Sequence, residues 1–444
     1  MRFIRRGNLK SIFFDLMSCH TNCLYLCAMR FSEYRISREL KSNLEEMGFK
    51  RPTDIQFKCI PNIQKGEDLL AIAQTGTGKT AAFAIPIIDK IQFNRKTPGK
   101  DGIKCIVMVP TRELCTQIAD VFNLIARKTK VKTMAVYGGV EQDSQIERLT
   151  AGVDVLVTTP GRMFDLVSQG FIKLDRIETL ILDEADQMLN LGFYKDIEDL
   201  IRFLPKRRQT LFFSATIDQK IKKLAYSLVN SKAIRIQISP KNPVSKNVTH
   251  AITFVEMDDK RFFLERILKE QEALKFMVFV RTKVRAERVK AAMERVGIAT
   301  EAIHGDKEQK DRQKVLNDFK AGTARILIAT DVSARGIDIP NVDYVINYDM
   351  PDVAENYVHR VGRTGRGKNK GQALSFCSKG EQELLKGIED YITVPIEVLE
   401  TNKKDIAETI LFSDDGSNNW KALMQKDEAD KKKKRKGSGK GKRN

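Results

Sequence analysis

Apolar residues at Ile36, Leu40, Leu44 and Met47 recur at helical spacing and stop at Gly48. Beyond them the pattern changes to apolar runs of strand length at Leu69–Ala73, Ile103–Val109, Thr133–Tyr137, Val153–Val157, Leu180–Leu182 and Leu211–Phe213. Helical stretches such as Arg112–Lys128 and Asp218–Val229 separate them. Near-continuous apolar strands alternating with helices predict a parallel sheet covered on both faces. The pattern breaks at 239–247, Ser-Pro-Lys-Asn-Pro-Val-Ser-Lys-Asn, where two prolines and no periodicity predict a linker. A second series follows at Ile252–Val255, Phe276–Val280, Thr300–Ile303, Ile326–Ala329, Tyr344–Asn347 and Ala373–Phe376, with helices at 258–270, 283–295 and 308–320. The chain therefore reads as two α/β domains, 29–238 and 248–400. Two such domains on a short linker leave a cleft, a usual place for a ligand whose binding closes the pair.

Composition narrows the class. With 444 residues, 42% hydrophobic and 30% charged, the chain is long and apolar enough for two cores and is not largely disordered. No run approaches the ~18 consecutive apolar residues of a membrane-spanning helix, which excludes a transmembrane protein of that kind. The net charge of +19 points to a polyanion, either nucleic acid or an acidic membrane surface. Much of it is terminal: residues 421–444 carry +8, residues 1–28 carry +3, and the remainder +8. The run Lys431–Lys436, followed by Gly437, Ser438 and Gly439, belongs to a basic tail, 401–444, expected to lie outside the folded domains. It serves either to solubilise the chain or to bind phosphates non-specifically. Residues 391–420, with the lone Trp420, are open to docking a partner or packing on the second domain.

The seven cysteines form no disulfide framework, consistent with a reducing cytoplasm. Cys19, His20, Cys23 and Cys27 lack the paired spacing of zinc knuckles. Residues 1–28 also lack a signal peptide, because Asp15, His20 and Asn22 interrupt any apolar stretch. They are expected to be a disordered leader or an over-extended start.

Candidate chemistry begins at the first strand. Ala73-Gln74-Thr75-Gly76-Thr77-Gly78-Lys79-Thr80 joins Leu69–Ala73 to a helix, the context a phosphate loop requires, although Ala73 stands where the general pattern has glycine. Backbone N–H groups and the helix N-terminus would cradle phosphates, Lys79 would reach the terminal ones, and the Thr80 hydroxyl would ligate Mg²⁺. The strand ending at Leu182 presents Asp183-Glu184-Ala185-Asp186. Asp183 is placed to hold Mg²⁺ through water and Glu184 to polarise an attacking water. The same four letters recur at Asp427–Asp430 with no strand before them and read as a chance acidic patch. In the second domain, His359-Arg360-Val361-Gly362-Arg363-Thr364-Gly365-Arg366-Gly367 offers Arg363 and Arg366 as arginine fingers, or else a loop that binds only phosphate backbone.

Taken in order, these elements resemble the DEAD-box ATP-dependent RNA helicases of superfamily two over roughly residues 31–390. The chain has Gly48–Gln56 (the Q motif) with Phe31 upstream, the phosphate loop, Pro110–Leu114, Gly138-Gly139, Thr159–Arg162, Asp183–Asp186 and Ser214-Ala215-Thr216. It continues with Val278–Thr282, Gln309 and Arg312, Ala329–Asp338 and His359–Gly367. The resemblance implies two tandem RecA-like domains, each a parallel sheet with helices on both faces, using ATP and Mg²⁺. It assigns the nucleotide to Phe31, Phe49, Gln56, Thr75, Gly76, Thr77, Gly78, Lys79, Thr80 and Asp338. Catalysis falls to Lys79, Asp183, Glu184, Arg363 and Arg366, and coupling to Asp186, Ser214, Thr216 and His359. RNA contact is implied for Thr111, Arg112, Gly139, Thr159, Gly161 and Arg162, and for Thr282, Gly305, Gln309, Arg312, Thr330 and Asp331. These residue types suit phosphate and 2′-hydroxyl groups and offer little base readout. Each taken singly fits a turn or helix cap equally well.

Cys115, where the family usually has a small residue, and Arg281, at a variable position, depart from the pattern without touching the ATP chemistry. The compact core and short basic tail resemble bacterial RhlE-type members. Family analogy implies a cytoplasmic, monomeric core acting on ribosomal precursors or in mRNA decay. An ATP-gated RNA clamp and a DNA-translocating motor of the same superfamily are the alternatives, and the Q motif argues against the motor.

Overall fold

The structure is a computed structural model that describes residues 29–74, 76–94, 102–238, 244–334, 339, 342–365, 369–400, 403–411 and 413. The expected leader, residues 239–243 of the expected linker, and Trp420 with the lysine run fall outside them. The chain divides into two compact units that part between Ser245 and Lys246, with 334–340 grouped in the first.

The first unit is built on a seven-stranded sheet. Its strands are β1 (Leu69–Ala73), β2 (Cys105–Met108), β3 (Thr133–Val136), β4 (Val155–Thr158), β5 (Thr179–Leu182), β6 (Gln209–Ser214) and β7 (Ile234–Ile238). They lie in the order β3-β4-β2-β5-β6-β1-β7, every pair parallel. β1 is buried along its whole length, and its alternation divides the core. Leu69, Ala71 and Ala73 join one apolar cluster while Leu70 and Ile72 join another, so helices cover both faces.

The second unit repeats the plan with β8 (Val248–Phe254), β9 (Phe276–Phe279), β10 (Glu301–Ile303), β11 (Ile326–Ala329), β12 (Tyr344–Asn347), β13 (Gly371–Cys377) and β14 (Glu397–Val398). Their order is β10-β11-β9-β12-β13-β8-β14, again all parallel. Position by position this is the first sheet over again. The edge strands β7 and β14 are additions to the strands expected from sequence.

A buried ionic network ties the second unit together. Lys260, fully buried at the start of the helix Lys260–Glu270, donates through Nζ to Glu381 Oε2 at 2.6 Å and to the Tyr348 carbonyl at 2.8 Å. Asp349 lies 3.9 Å from the same ammonium and accepts from Arg285 Nε at 3.1 Å. Ser378 donates to Glu381 through N (3.0 Å) and Oγ (2.7 Å), and Met350 N donates at 3.1 Å.

Two further features bear on the ends of this unit. Residues 401–444, expected as tail, begin with a helix, Lys403–Leu411. It packs on Lys260–Glu270: Arg266 Nη1 donates to Thr409 Oγ1 at 2.8 Å, and Ile406 joins the core. Gly371, at the start of β13, sits against Thr364 and the backbone N of Gly365, where an added Cβ would overlap both. Thr364 cannot yield, because its hydroxyl donates to Val342 O at 2.5 Å. Gly371→Ala is expected to cost about 1–3 kcal/mol or more and to lower the melting temperature of the second unit, read by circular dichroism. Among the described residues no helix is long and apolar enough to cross a membrane.

Candidate functional site

In a parallel sheet, ligand-binding loops gather beyond the carboxyl ends of the strands. In the first unit β1, β5 and β6 are near neighbours, and the loops leaving them carry the phosphate loop, Asp183–Asp186 and Ser214–Thr216. On the far side of β5, β3, β4 and β2 deliver Gly139, Thr159 to Arg162, and Thr111 with Arg112. One half of the sheet edge thus collects the expected nucleotide residues and the other half the expected RNA residues.

The phosphate loop is locked to the Q motif. Thr53 caps the helix Asp54–Gln64 in a capping box with Gln56, whose Oε1 accepts from Thr53 N at 2.9 Å. Gln56 Nε2 donates to Gly78 O at 3.2 Å, and Thr53 Oγ1 donates to Thr77 O at 2.8 Å. Gly78 has φ +90°, and a Cβ there would run into the Gln56 amide. Thr53 was not among the expected site residues, although the Thr-x-x-Gln spacing of a capping box signals it. Phe31 and Phe49, both expected near the nucleotide, meet edge to face with centroids 5.6 Å apart. Gly76 and Thr80 flank the loop; Thr75 lies outside the described residues.

Lys79 is 6% exposed, and among the described residues its Nζ has no hydrogen-bond partner. An ammonium held out of water and unpaired is costly, so the site is preorganised for an anion. Asp183 is buried beside it. Burial raises its pKa, opposed by the charge of Lys79 and by the hydrogen bond from Glu184 N at 3.0 Å. Glu184 adopts φ 52°, ψ 47°, the left-handed region that a non-glycine residue enters at a cost of about 1–3 kcal/mol. Only two described non-glycine residues have positive φ, and the other, Thr393, ends a helix. Strain at the carboxylate next to Asp183 marks a functional constraint rather than a loose turn. Asp186 Oδ2 accepts from Ala215 N, Thr216 N and Thr216 Oγ1, each at 3.2 Å, and Ser214 Oγ donates to Thr216 O at 2.7 Å. The end of β5 is therefore wired to the end of β6. A glycine loop, an unpaired buried lysine and a buried carboxylate fit a triphosphate with a divalent cation.

On the other half of the edge, Thr111 Oγ1 accepts from Leu114 N at 3.3 Å, capping the helix Arg112–Ala126. The Arg112 guanidinium lies against Gly139, whose φ of +81° and lack of Cβ permit the approach. Arg162 Nη2 donates to Val140 O at 3.0 Å, which draws the β3 and β4 loops together. Thr159 precedes Pro160 at a helix start and makes no cap bond of its own, and Gly161 has open space around it. Cys115 is fully buried and donates its thiol to Val157 O at 3.1 Å, a packing role.

The second unit repeats the arrangement at β10, β11 and β9. Thr282 follows β9 and caps the helix Lys283–Arg295 by accepting from Arg285 N at 3.2 Å. Its φ and ψ, −129° and 154°, are those of Thr111. Gly305 follows β10 with open space around it, and Gln309 and Arg312 lie in the first turn of the helix Gln309–Ala321. Thr330 follows β11 and donates to Ser333. The Asp331 carboxylate is engaged: Arg360, 1% exposed, grips it bidentately at 2.6 and 2.7 Å and donates to Asp349 O at 2.7 Å. Arg360 is thus a structural clamp. Arg363 is 4% exposed and donates through Nε to His359 O at 3.2 Å. Asp338 and Arg366 lie outside the described residues.

Comparison with known proteins agrees with this layout. The DEAD/DEAH box helicase model matches residues 53–224, and the helicase conserved C-terminal domain model matches 259–368. The ATP-dependent RNA helicase RhlB of Shewanella woodyi is 39% identical over 87% of this chain and 88% of its own length. DbpA of Bacillus subtilis is 38% identical over 84% of this chain and 77% of its own length, and CshA of Listeria monocytogenes is 40% identical over 81% and 68%. Among solved structures, S. cerevisiae Dbp5 bound to RNA and ADP BeF3 superposes with a TM-score of 0.76 at 30% identity, covering 86% of this chain and 99% of that one. Mss116p bound to single-stranded RNA and AMP-PNP gives 0.75 at 26% identity, covering 86% and 80%. The two matching sheets are therefore the tandem RecA-like domains of such enzymes. Sharing 38–40% of aligned residues with these helicases over most of their length, the chain belongs to the DEAD-box helicase family.

Proposed function

We propose that the chain is an RNA-stimulated ATPase that uses ATP binding and hydrolysis to open short RNA duplexes and remodel RNA–protein complexes. The observation that carries this is the buried ammonium of Lys79 behind the glycine loop, with no hydrogen-bond partner among the described residues. Its sheet offers hydroxyls, glycines and arginines at its remaining strand ends.

When bound, Mg²⁺ supplies a Lewis acid on the triphosphate, and Thr80 and Asp183 are the residues placed to hold it. Gln56 uses one lone pair on Thr53 N and one N–H on Gly78 O. That leaves an acceptor and a donor for the adenine edge, a pairing that discriminates strongly against other bases. Phe31 and Phe49 wall that region. Lys79 meets the terminal phosphates, Glu184 orients and deprotonates water, and Asp338 belongs with the nucleotide on the second unit. Arg363 and Arg366 place positive charge on the transferring phosphoryl group. Asp186, bonded to Ala215 and Thr216, passes the state of the nucleotide to the Ser214–Thr216 loop, and His359 joins that network. RNA is held by its backbone, through Thr111, Arg112, Gly139, Thr159, Gly161 and Arg162 on one unit and Thr282, Gly305, Gln309, Arg312, Thr330 and Asp331 on the other. The RNA and nucleotide analogues in the Dbp5 and Mss116p structures support this reading.

Steady-state ATPase assays with single-stranded RNA or DNA test it. At least tenfold stimulation by RNA and little by DNA is expected; equal stimulation would favour a DNA motor. Displacement of a short duplex separates an unwinding enzyme from an RNA clamp. We further propose a cytoplasmic, monomeric enzyme of RhlE-type character, acting on ribosomal precursors or in mRNA decay. The free, buried thiols of Cys59, Cys105, Cys115 and Cys377 support a reducing compartment. Deleting 431–444 is expected to weaken RNA binding as salt rises, since it removes phosphate-neutralising lysines, and to leave the rate at saturating RNA nearly unchanged.

A further inference from the structure

Arg281 sits between β9 and Thr282, at a point where the equivalent strand end of the first unit has the uncharged Pro110 before Thr111. Its guanidinium is shared among three acceptors. Nη2 donates to Glu381 Oε1 and to Met350 O, both at 3.2 Å, and Nε pairs with Asp352 Oδ1 at 3.0 Å. Its backbone N donates to Asp349 Oδ2 at 3.0 Å, which fixes the base of the side chain.

The acceptors are not equivalent. Glu381 is almost fully buried and already satisfied by Lys260, Ser378 and Met350, so it does not depend on Arg281. Asp352 is 63% exposed and Arg281 36% exposed. An ion pair so open to water contributes little and is readily exchanged. A guanidinium, by contrast, binds phosphate well through two parallel N–H groups.

We propose that the Arg281–Asp352 pair is an exchangeable latch. The Nε edge of Arg281 leaves Asp352 for an RNA phosphate next to Thr282, and Asp352 acts as a built-in competitor that sets RNA affinity. The exchange also frees Asp352, two residues before the helix Ala354–Val361 that leads to Arg363. RNA binding thereby reaches the arginine segment. This inference rests on the assignment of Thr282 to the RNA surface.

The test is the RNA concentration giving half-maximal ATPase stimulation, measured on the full chain at saturating ATP for the unaltered protein, Asp352→Asn, Arg281→Gln and the double variant. Asp352→Asn is expected to lower that concentration roughly fivefold, with the saturated rate within about twofold of the unaltered chain. Arg281→Gln is expected to raise it by a similar factor and to reduce the salt slope by about one. Arg281→Lys should recover part of the loss. The double variant should match Arg281→Gln, because the competitor matters only when there is something to compete for. An unchanged value for Asp352→Asn, which alters an exposed side chain and keeps the fold intact, would overturn the latch. So would a tightening that persists in the Arg281→Gln background, since that would be a general charge effect. If RNA stimulates the unaltered chain but Thr282→Ala binds RNA as well as it does, the underlying assignment fails instead.

Discussion

Lys79→Ala is expected to lower RNA-stimulated ATP turnover by at least ~10²–10³-fold, the usual loss when one preorganised cationic or hydrogen-bonding group is removed from a charge-developing transition state. The ammonium is buried, has no hydrogen-bond partner among the described residues, and starts the helix that leaves the glycine loop. Alanine orphans no hydrogen-bond partner among the described residues, so the chain should lose activity while staying folded, and a melting curve close to that of the unaltered protein is the accompanying result. Glu184→Gln should lower turnover by about 10²–10⁴-fold, the range for a general base, while ATP binding persists. The neutral amide keeps the shape of the side chain and cannot take a proton from water. Equilibrium binding of a fluorescent ATP analogue alongside turnover checks both variants: Lys79→Ala should weaken binding and Glu184→Gln should not. Turnover like that of the unaltered chain in either one would remove the catalytic assignment.

The second large effect is on stability. Glu381→Gln is expected to cost about 3–5 kcal/mol, the range for leaving one member of a buried ion pair uncompensated. Lys260 has no solvent exposure, and its ammonium depends on Glu381 at 2.6 Å, with Asp349 farther off at 3.9 Å. Burial alone would raise the Glu381 carboxyl, but the charge and hydrogen bond of Lys260 and the two Ser378 donors together bring its pKa below the usual value. Burial lowers the pKa of Lys260 despite Glu381; the short contact and the depressed Glu381 mark both as charged at neutral pH. A carboxyl whose folded pKa lies below its unfolded one stabilises the fold above the unfolded value and loses that stabilisation as pH falls through the folded value. The gap between the unaltered chain and Glu381→Gln should thus be full at pH 7 and close below about pH 4. Urea unfolding across that range measures it. The double replacement Lys260→Met, Glu381→Gln should recover part of the loss, because it leaves no orphan charge.

How much of this was legible depended on whether the signal was local. Strands buried on both faces announce themselves as apolar runs, and the twelve expected strands are all present within a few residues. β7, Ile-Arg-Ile-Gln-Ile, alternates because it is an edge strand with one covered side, and β14 has only two residues. The helix Lys403–Leu411 was hidden by its charges, since only packing on Lys260–Glu270 reveals that Thr409 and Ile406 face inward. At the nucleotide end, motif order in the chain becomes adjacency at the ends of β5, β6 and β1, so a local reading groups those loops. The clamp of Arg360 on Asp331 spans 29 residues and exists only in the fold, so nothing local in the sequence announces it.

The duplicated sheet order has one more consequence. β1 and β8 hold the same place in their sheets, and each is followed by a helix that begins with a lysine: Lys79 in one unit, Lys260 in the other. Lys79 has no hydrogen-bond partner among the described residues, whereas Lys260 is neutralised by Glu381 and preceded by Glu256-Met257-Asp258-Asp259, an acidic approach that repels a triphosphate. The stoichiometry of the engine follows from that asymmetry. With the nucleotide assigned to the first unit and the equivalent lysine of the second already neutralised, equilibrium dialysis is expected to count one ATP per polypeptide.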